Sequence, residues 1–398
     1  MNTDSDLSKY PDFSLVQGGA LYRLWRRVRL TGDRLQMCPR RILVLLLLTW
    51  VPLLLLSMAQ GHAWGNNVEL PFIHDLEMHS RLLLALPILI LAEPYVHKRI
   101  RTVVGQFLLR DMIPETERER FDKVIASAQN LRNSITAEVL LIVFVYIAGT
   151  VVTWRTRASL GVTSWYGSPI EDGKLQWSLA GWWLGVVSLP LYQFLYLRWY
   201  FRLLIWARFL WQISRINLKL IPTHPDHCGG LGFLSASGKA FAPVLLAQGV
   251  LLSGMMANRI FYGSAHLLDF KMDFLGVVTL LVSFVLGPLL VFMPHIAVAK
   301  RVGLREYGVL AHRYVSDFDQ KWLRNNAPTK ESFLGSADVQ SLADLSNSYE
   351  IIKNIRFTPF SLRTVIQLAV ITAIPSIPLL LTIFPLDEIL MKLFQMVF

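Results

Sequence analysis

Residues 42–57 read ILVLLLLTWVPLLLLS, directly after Arg40 and Arg41, and no further Lys or Arg occurs until Arg81. A run this apolar matches the roughly 17–25 residues that a helix needs to cross the hydrocarbon core of a bilayer. The charge step across it sets a direction, because short cytoplasmic flanks retain Lys and Arg. Comparable runs follow. The expected fold class is therefore all-α: a polytopic transmembrane helix bundle of about seven spans with cytoplasmic helical segments, N-terminus inside.

The composition agrees, with 53% hydrophobic and only 17% charged residues, a balance unlike that of a soluble chain of this length. The formal net charge of +11 would suggest nucleic acid in a soluble protein. Here Lys and Arg concentrate in the loops expected inside, where they face anionic lipid headgroups, and no nucleic-acid partner is expected. Cys38 and Cys228 both fall on the expected cytoplasmic side, which argues against a structural disulfide. Ser57-Met58-Ala59 resembles a signal-peptide cleavage site, but about forty residues precede the apolar run, too many for an ordinary charged n-region.

Residues 1–40 form a basic N-terminal segment in which Arg23, Arg26, Arg27 and Arg29 interleave with Leu21, Tyr22, Leu24 and Trp25, as in a helix lying on a membrane surface. A six-span bundle is expected over 41–298, with spans near 42–59, 82–97, 137–154, 177–200, 241–262 and 274–298. It contains a cytoplasmic helical hairpin at 98–134, where Pro114 followed by acids signals a helix start, and a loop at 222–239. Residues 299–363 read as a cytoplasmic segment with helical patterns at 303–323 and 337–356. Residues 364–398 hold a seventh span near 364–384 and an amphipathic tail, with the C-terminus outside. Pro375 and Pro378 make this span the sharpest break, since each removes a helix donor. No internal repeat supports the paired-halves layout of many secondary transporters.

Three features can carry chemistry. After span 4, Arg208, Gln212, Arg215 and Lys219 share one helical face if the helix is continuous. That stripe either touches headgroups or lines a vestibule that attracts anions. The second feature is the loop THPDHCGGLGFL at 223–234. His224, Asp226, His227 and Cys228 are too crowded for a metal site and have no second Cys/His pair, so no metal or cofactor is expected. The spacing from Gly232 to Gly238-Lys239, with Ala240 after it, fails the phosphate-loop pattern. As an inter-helix loop, it would use Gly229, Gly230 and Gly232 at φ > 0 and Asp226 to bond backbone, and Asp226→Asn would then be mild. As a functional loop it would engage a partner through His224 and Asp226. The third feature is intramembrane polarity: Glu93 and His295 both lie at expected inner span boundaries, where they pair or reach separately for the interface. In the loop expected outside, His62, Glu69, His74, Asp75, Glu77 and His79 are of types that bind a divalent cation, but the reading preferred is an exposed polar loop.

His224-Pro225-Asp226 after a basic helix resembles the chaperone-binding tripeptide of J-domains, but the rest of that domain is absent. The strings THPDHCGGLGFL, DVQSLADLSNSYEIIKNIRFTPF and LTIFPLDEIL together resemble a family of uncharacterised bacterial polytopic membrane proteins. That resemblance implies a bacterial inner-membrane location and assigns no catalytic or binding residue.

Two functions remain open. One is an oligomeric channel or transporter for a small anionic solute, with Arg208, Gln212, Arg215, Lys219, Glu93 and His295 as solute contacts. The other is a non-transporting scaffold or sensor whose cytoplasmic segments bind a protein. An enzyme is not expected: no G-x-S-x-G, H-E-x-x-H or standout carboxylate pair is present, which leaves a lipid-modifying activity as the third reading.

Overall fold

The computed structural model describes residues 13–30, 32, 37–65, 67–149, 163–169, 175–263, 265–324 and 335–382. It is 79% helical with almost no sheet, which agrees with the all-α class. The helices are α1 (Gly19–Arg27), α2 (Cys38–Ala59), α3 (Leu86–Leu109), α4 (Arg118–Arg132), α5 (Ile135–Phe144), α6 (Leu189–Ile213), α7 (Ala242–Tyr262), α8 (Lys271–Leu286), α9 (Met293–Asp319), α10 (Ala337–Lys353) and α11 (Leu362–Ala373).

Among the described residues, four helical stretches are long and apolar enough to cross a membrane: Cys38–Ala59, Leu231–Tyr262, Leu267–Arg324 and Leu362–Thr382. Glu115–Arg132 and Ile135–Ile147, bent by 43° at their junction, make a fifth if they act as one span. The chain is thus a helical membrane protein. α2 presents Leu43, Leu47 and Leu55 outward, as a lipid-facing helix does. The spans expected near 82–97 and 177–200 fall on α3 and α6, which occupy the interior and carry buried charge.

Local chemistry explains the helix ends and breaks. Ser134, Ser178, Ser336 and Ser361 each cap a helix by accepting a backbone N–H of the first turn. π-turns at Ser80–Ala85 and Leu184–Ser188 directly precede Leu86-Pro87 and Leu189-Pro190. A proline cannot donate to the preceding turn, and the wider turn accommodates the lost bond. At the far end, Ile374–Thr382 tightens into a 3₁₀ stretch around Pro375 and Pro378. Residues 383–398, including the amphipathic tail, lie outside the described residues.

α7 is the spine. A Cβ on Gly249 would sit 1.9 Å from the Thr372 carbonyl oxygen of α11, and one on Gly254 would sit 2.6 Å from Ser80 Cβ. The Ser253 and Ser376 hydroxyls meet at 2.9 Å. Small residues here let backbones approach closely, as membrane helices do where lipid offers no hydrophobic drive for association.

The loop between α2 and α3 is exposed at Glu69 and His74, as expected from sequence, but not at Asp75, Glu77 and His79. Asp75 is buried, accepting from Trp165 Nε1 at 3.0 Å, Asn258 Nδ2 at 2.8 Å and Met78 N at 2.9 Å. Glu77 pairs with Arg81 at 2.6 Å, and His79 accepts from Trp50 Nε1 at 3.1 Å. A short antiparallel pair, Gly167–Pro169 with Leu175–Trp177, closes this end, so Trp177 belongs to a strand and the next helix starts at Leu179. α9 runs unbroken across position 299, so the expected boundary between bundle and cytoplasmic segment is not a break in the chain's structure. α9 then packs against α10 as a helical hairpin.

Gly249→Val should lower the thermal midpoint in detergent, because overpacking a tight helix crossing costs about 1–3 kcal/mol. Gly276→Ala, where an added Cβ meets nothing within 4 Å, should leave it unchanged or raise it slightly.

Candidate functional site

Five ionisable side chains lie buried together at the end of the bundle that holds the N-terminal segment. They are Arg41 on α2, Glu93 on α3, Glu138 on α5, and Arg198 and Arg202 on α6. Arg198 and Arg202 are four residues apart, so one helical face presents both. The Glu93 carboxylate bridges two guanidiniums: one oxygen pairs with Arg41, the other with Arg202 at 2.8 Å. Arg202 also lies over the Trp199 ring, 4.5 Å from its centroid. Arg198 pairs with Glu138 at 3.5 Å and donates to the Gly18 carbonyl at 3.1 Å.

Charges in a low-dielectric interior are tolerable only when paired and hydrogen-bonded. Three guanidiniums share two carboxylates, so each arginine is paired and the cluster still carries a net positive charge. Arg41 Nη2 donates to Cys38 Sγ at 3.2 Å, and Arg41 Nε is buried with no hydrogen-bond partner among the described residues. Pro94 explains the polar backbone beside Glu93. It removes the donor that would reach the Ile90 carbonyl, and the Cys38 thiol sits 4.0 Å from that oxygen. The neighbouring Leu89 carbonyl accepts from Trp199 Nε1 at 3.2 Å.

The N-terminal segment packs beside this cluster and touches it at Arg198 and Glu138. Phe13 packs on Phe209 and Trp206, with ring centroids at 4.8 and 6.4 Å. The Ser14 carbonyl accepts from Arg132 Nη1 at 2.6 Å, and the Ser14 hydroxyl lies 2.8 Å from His97 Nδ1. Glu138 holds the start of α1, accepting the N–H groups of Ala20 at 2.6 Å and Leu21 at 3.1 Å. An anionic group at a helix N-terminus is favoured by the helix dipole and the free N–H groups.

The basic stripe predicted after span 4 does not form. α6 ends at Ile213, capped by Ser214, so Arg215 and Lys219 leave the helix and share no face with Arg208. Arg208 is exposed and donates to Ser127 at 3.3 Å in an open groove beside Lys123 and Asn130. Arg215 lies over Trp211, 5.2 Å from its ring centroid. Lys219 is exposed, and its backbone N–H donates to the Met112 carbonyl at 2.9 Å. Gln212 is half-buried with Oε1 lacking a partner among the described residues. His295 does not pair with Glu93, whose oxygens are taken by arginines. It lies half-buried beside Phe292 with Nδ1 lacking a partner among the described residues.

The glycine loop is organised around Asp226. One carboxylate oxygen accepts from Cys228 N at 2.8 Å and Gly230 N at 3.1 Å, and the other from Gly232 N at 2.7 Å. His224 Nδ1 is 3.0 Å away. Burial pushes the Asp226 carboxyl up, but the N–H groups of Gly232, Cys228 and Gly230, with His224, outweigh it and hold the carboxyl below its usual range. Gly229 and Gly230 have φ of 66° and 98°, as expected, whereas Gly232 does not. Gly232 is needed for room instead, because a Cβ there would sit 2.9 Å from an Asp226 oxygen. Arg356 binds the loop at the Asp226 and His227 carbonyls, and Arg110 reaches the Gly230 carbonyl at 3.3 Å. The loop therefore ties α3 to the segment after α10. Among the described residues, no group of three or more His, Cys, Asp or Glu is arranged to hold a metal.

Of the residues that form the buried cluster, sequence reasoning singled out Glu93 alone. Arg41 was visible only as a topogenic charge, and Arg198, Arg202 and Glu138 were not separated from their flanks. The i,i+4 arginine pair next to Trp199 was the available signal.

Glu93→Ala leaves two buried guanidiniums uncompensated and should cost about 3–5 kcal/mol by chemical denaturation in detergent. Asp226→Asn should not be mild: both carboxylate oxygens accept N–H groups, and an amide puts a donor against a donor, costing about 1–3 kcal/mol. Because the folded carboxyl titrates low, this advantage is fully present above the ordinary carboxylate range, about pH 4, and fades as pH falls through the folded value. The midpoint gap between wild type and Asp226→Asn should close on acidification.

No family model, no curated protein and no solved structure matches this chain.

Proposed function

We propose that the protein is a channel or transporter for a small anion, acting as an oligomer in a bacterial inner membrane. It would cross that membrane seven times, with the N-terminus inside and the C-terminus outside. The observation that supports this reading is the net positive charge of the buried cluster at Arg41, Arg198 and Arg202, with Arg41 Nε lacking a partner among the described residues. Ionisable groups at membrane depth are costly and are kept where they face a permeant ion or a partner. In this reading the anion meets the interior cluster, and Arg208 and Arg215 at the surface touch headgroups. With the N-terminus inside, the cluster lies toward the cytoplasm, where Lys and Arg of the flanking loops raise the local anion concentration.

A second reading is favoured by the α9–α10 hairpin. α9 exposes Val309, Leu310 and Val315, and a groove of about 320 Å³ between the two helices is lined by Val315, Leu342, Leu345 and Tyr349. A scaffold or sensor would use such a surface to bind a protein.

Purified protein in liposomes decides between them. Chloride or nitrate flux should be present in wild type and should fall by roughly tenfold in Arg202→Gln, as expected when one charge that focuses the field is lost. Arg202→Lys should retain more of it, and Arg208→Gln with Arg215→Gln should change it little. Thermal midpoints identify any loss that reflects unfolding. Wild-type liposomes that pass no small anion overturn the transport reading in favour of the scaffold.

A further inference from the structure

We propose that residues 13–18 are a removable plug over the arginine cluster, and that a small anion replaces the Gly18 carbonyl on Arg198 when the plug lifts. For the identity of the ligand this rests on the transport reading; the plug itself does not.

Phe13 to Val16 are non-helical and precede the first described helix, yet all four are buried, with Phe13, Leu15 and Val16 each only 1% exposed. Their partners come from the helices that surround the cluster: His97 of α3, Arg132 of α4, and Phe209 and Trp206 of α6. The plug continues into Gly18, whose carbonyl oxygen occupies a donor position on Arg198. A carbonyl oxygen is a neutral acceptor, and an anion in its place gains a charge-assisted bond from the same guanidinium. The plug is thus an internal competitor for the position that an entering anion needs.

Glu138 is the latch. One of its oxygens faces Arg198 and the other holds the start of α1 through two N–H groups. Gly19, with φ of 87°, fits there because a Cβ would sit 2.3 Å from a Glu138 oxygen. Beyond the latch, α1 exposes Arg23, Leu24, Arg26 and Arg27 and has little burial of its own. The hold on the start of α1 thus centres on the Glu138 latch, and Phe13, Leu15 and Val16 are the buried anchor that has to leave with it. The plug's departure uncovers Arg198, which lies in the same buried cluster as Arg41 and, through Arg41, Cys38.

Cys38 reports the opening, because its buried thiol contacts Arg41 within the cluster. With Cys228→Ser as background, a small neutral methanethiosulfonate should modify Cys38 slowly in proteoliposomes. Phe13→Asp, which removes the apolar anchor, and Glu138→Gln, which weakens the latch, should each speed modification about tenfold or more. Phe13→Leu should restore the slow rate. Replacing gluconate by chloride at constant ionic strength should speed modification in the otherwise wild-type plug, since only the small anion competes with the Gly18 carbonyl. Unchanged rates in both plug variants, with helix content and thermal midpoint retained, overturn the plug. Should Phe13→Asp fail to fold, Glu138→Gln and the chloride series decide alone. Chloride independence overturns the competition with the anion. Faster modification without anion flux keeps the plug and removes the transport reading; flux with plug-independent modification does the reverse.

Discussion

Glu93 is the residue on which the interior depends. A lone carboxylate at that depth would be expelled or neutralised, and a lone guanidinium fares no better. Bridging Arg41 and Arg202, it joins α2, α3 and α6 by interactions that fail together if one member is lost. Apolar contacts tolerate sliding, whereas a bidentate bridge between two forks has direction. The register of these three helices follows from it. The proline one residue on adds a local opening in the α3 backbone, which Cys38 and Trp199 approach from either side.

The Asp226 loop uses the same principle with backbone in place of guanidinium. Its carboxylate gathers three N–H groups that a tight turn cannot pair internally, and His227 joins Gly229 and Gly230 in the left-handed region. The two hubs are both carboxylates with every oxygen occupied. One orders helices and the other orders the chain that connects them.

The all-α class and the long apolar helices were legible in residues 42–57 and their successors because apolar runs of span length have few other solutions. Gly229 and Gly230 were legible for a similar reason, since clustered glycines mark backbone that other residues avoid. Gly232 was legible as special but for the wrong cause: closeness to Asp226 is a tertiary fact that spacing does not carry. The Arg208–Lys219 stripe failed because 100° periodicity assumes a helix that persists, and α6 stops at Ser214 where Asn217 and Pro222 follow. Arg198 and Arg202 were hidden by their neighbours, since an aromatic and basic string reads equally well as an interfacial belt. The burial of Phe13 to Val16 has no local signature at all, because it depends on a surface made by α4 and α6 more than a hundred residues away.

α9 has a mechanical consequence. It is a single helix from Met293 to Asp319, joined to α8 through the 3₁₀ stretch Gly287–Phe292. At 1.5 Å per residue it is a rod of about 40 Å, so a rotation of about 5° at that joint displaces its tip by about 3.5 Å. The close approach of Gly303 to Pro222 and Ile352, and the Lys300 bond to the Ile355 carbonyl, are what oppose such a rotation and fix where α9 meets α10.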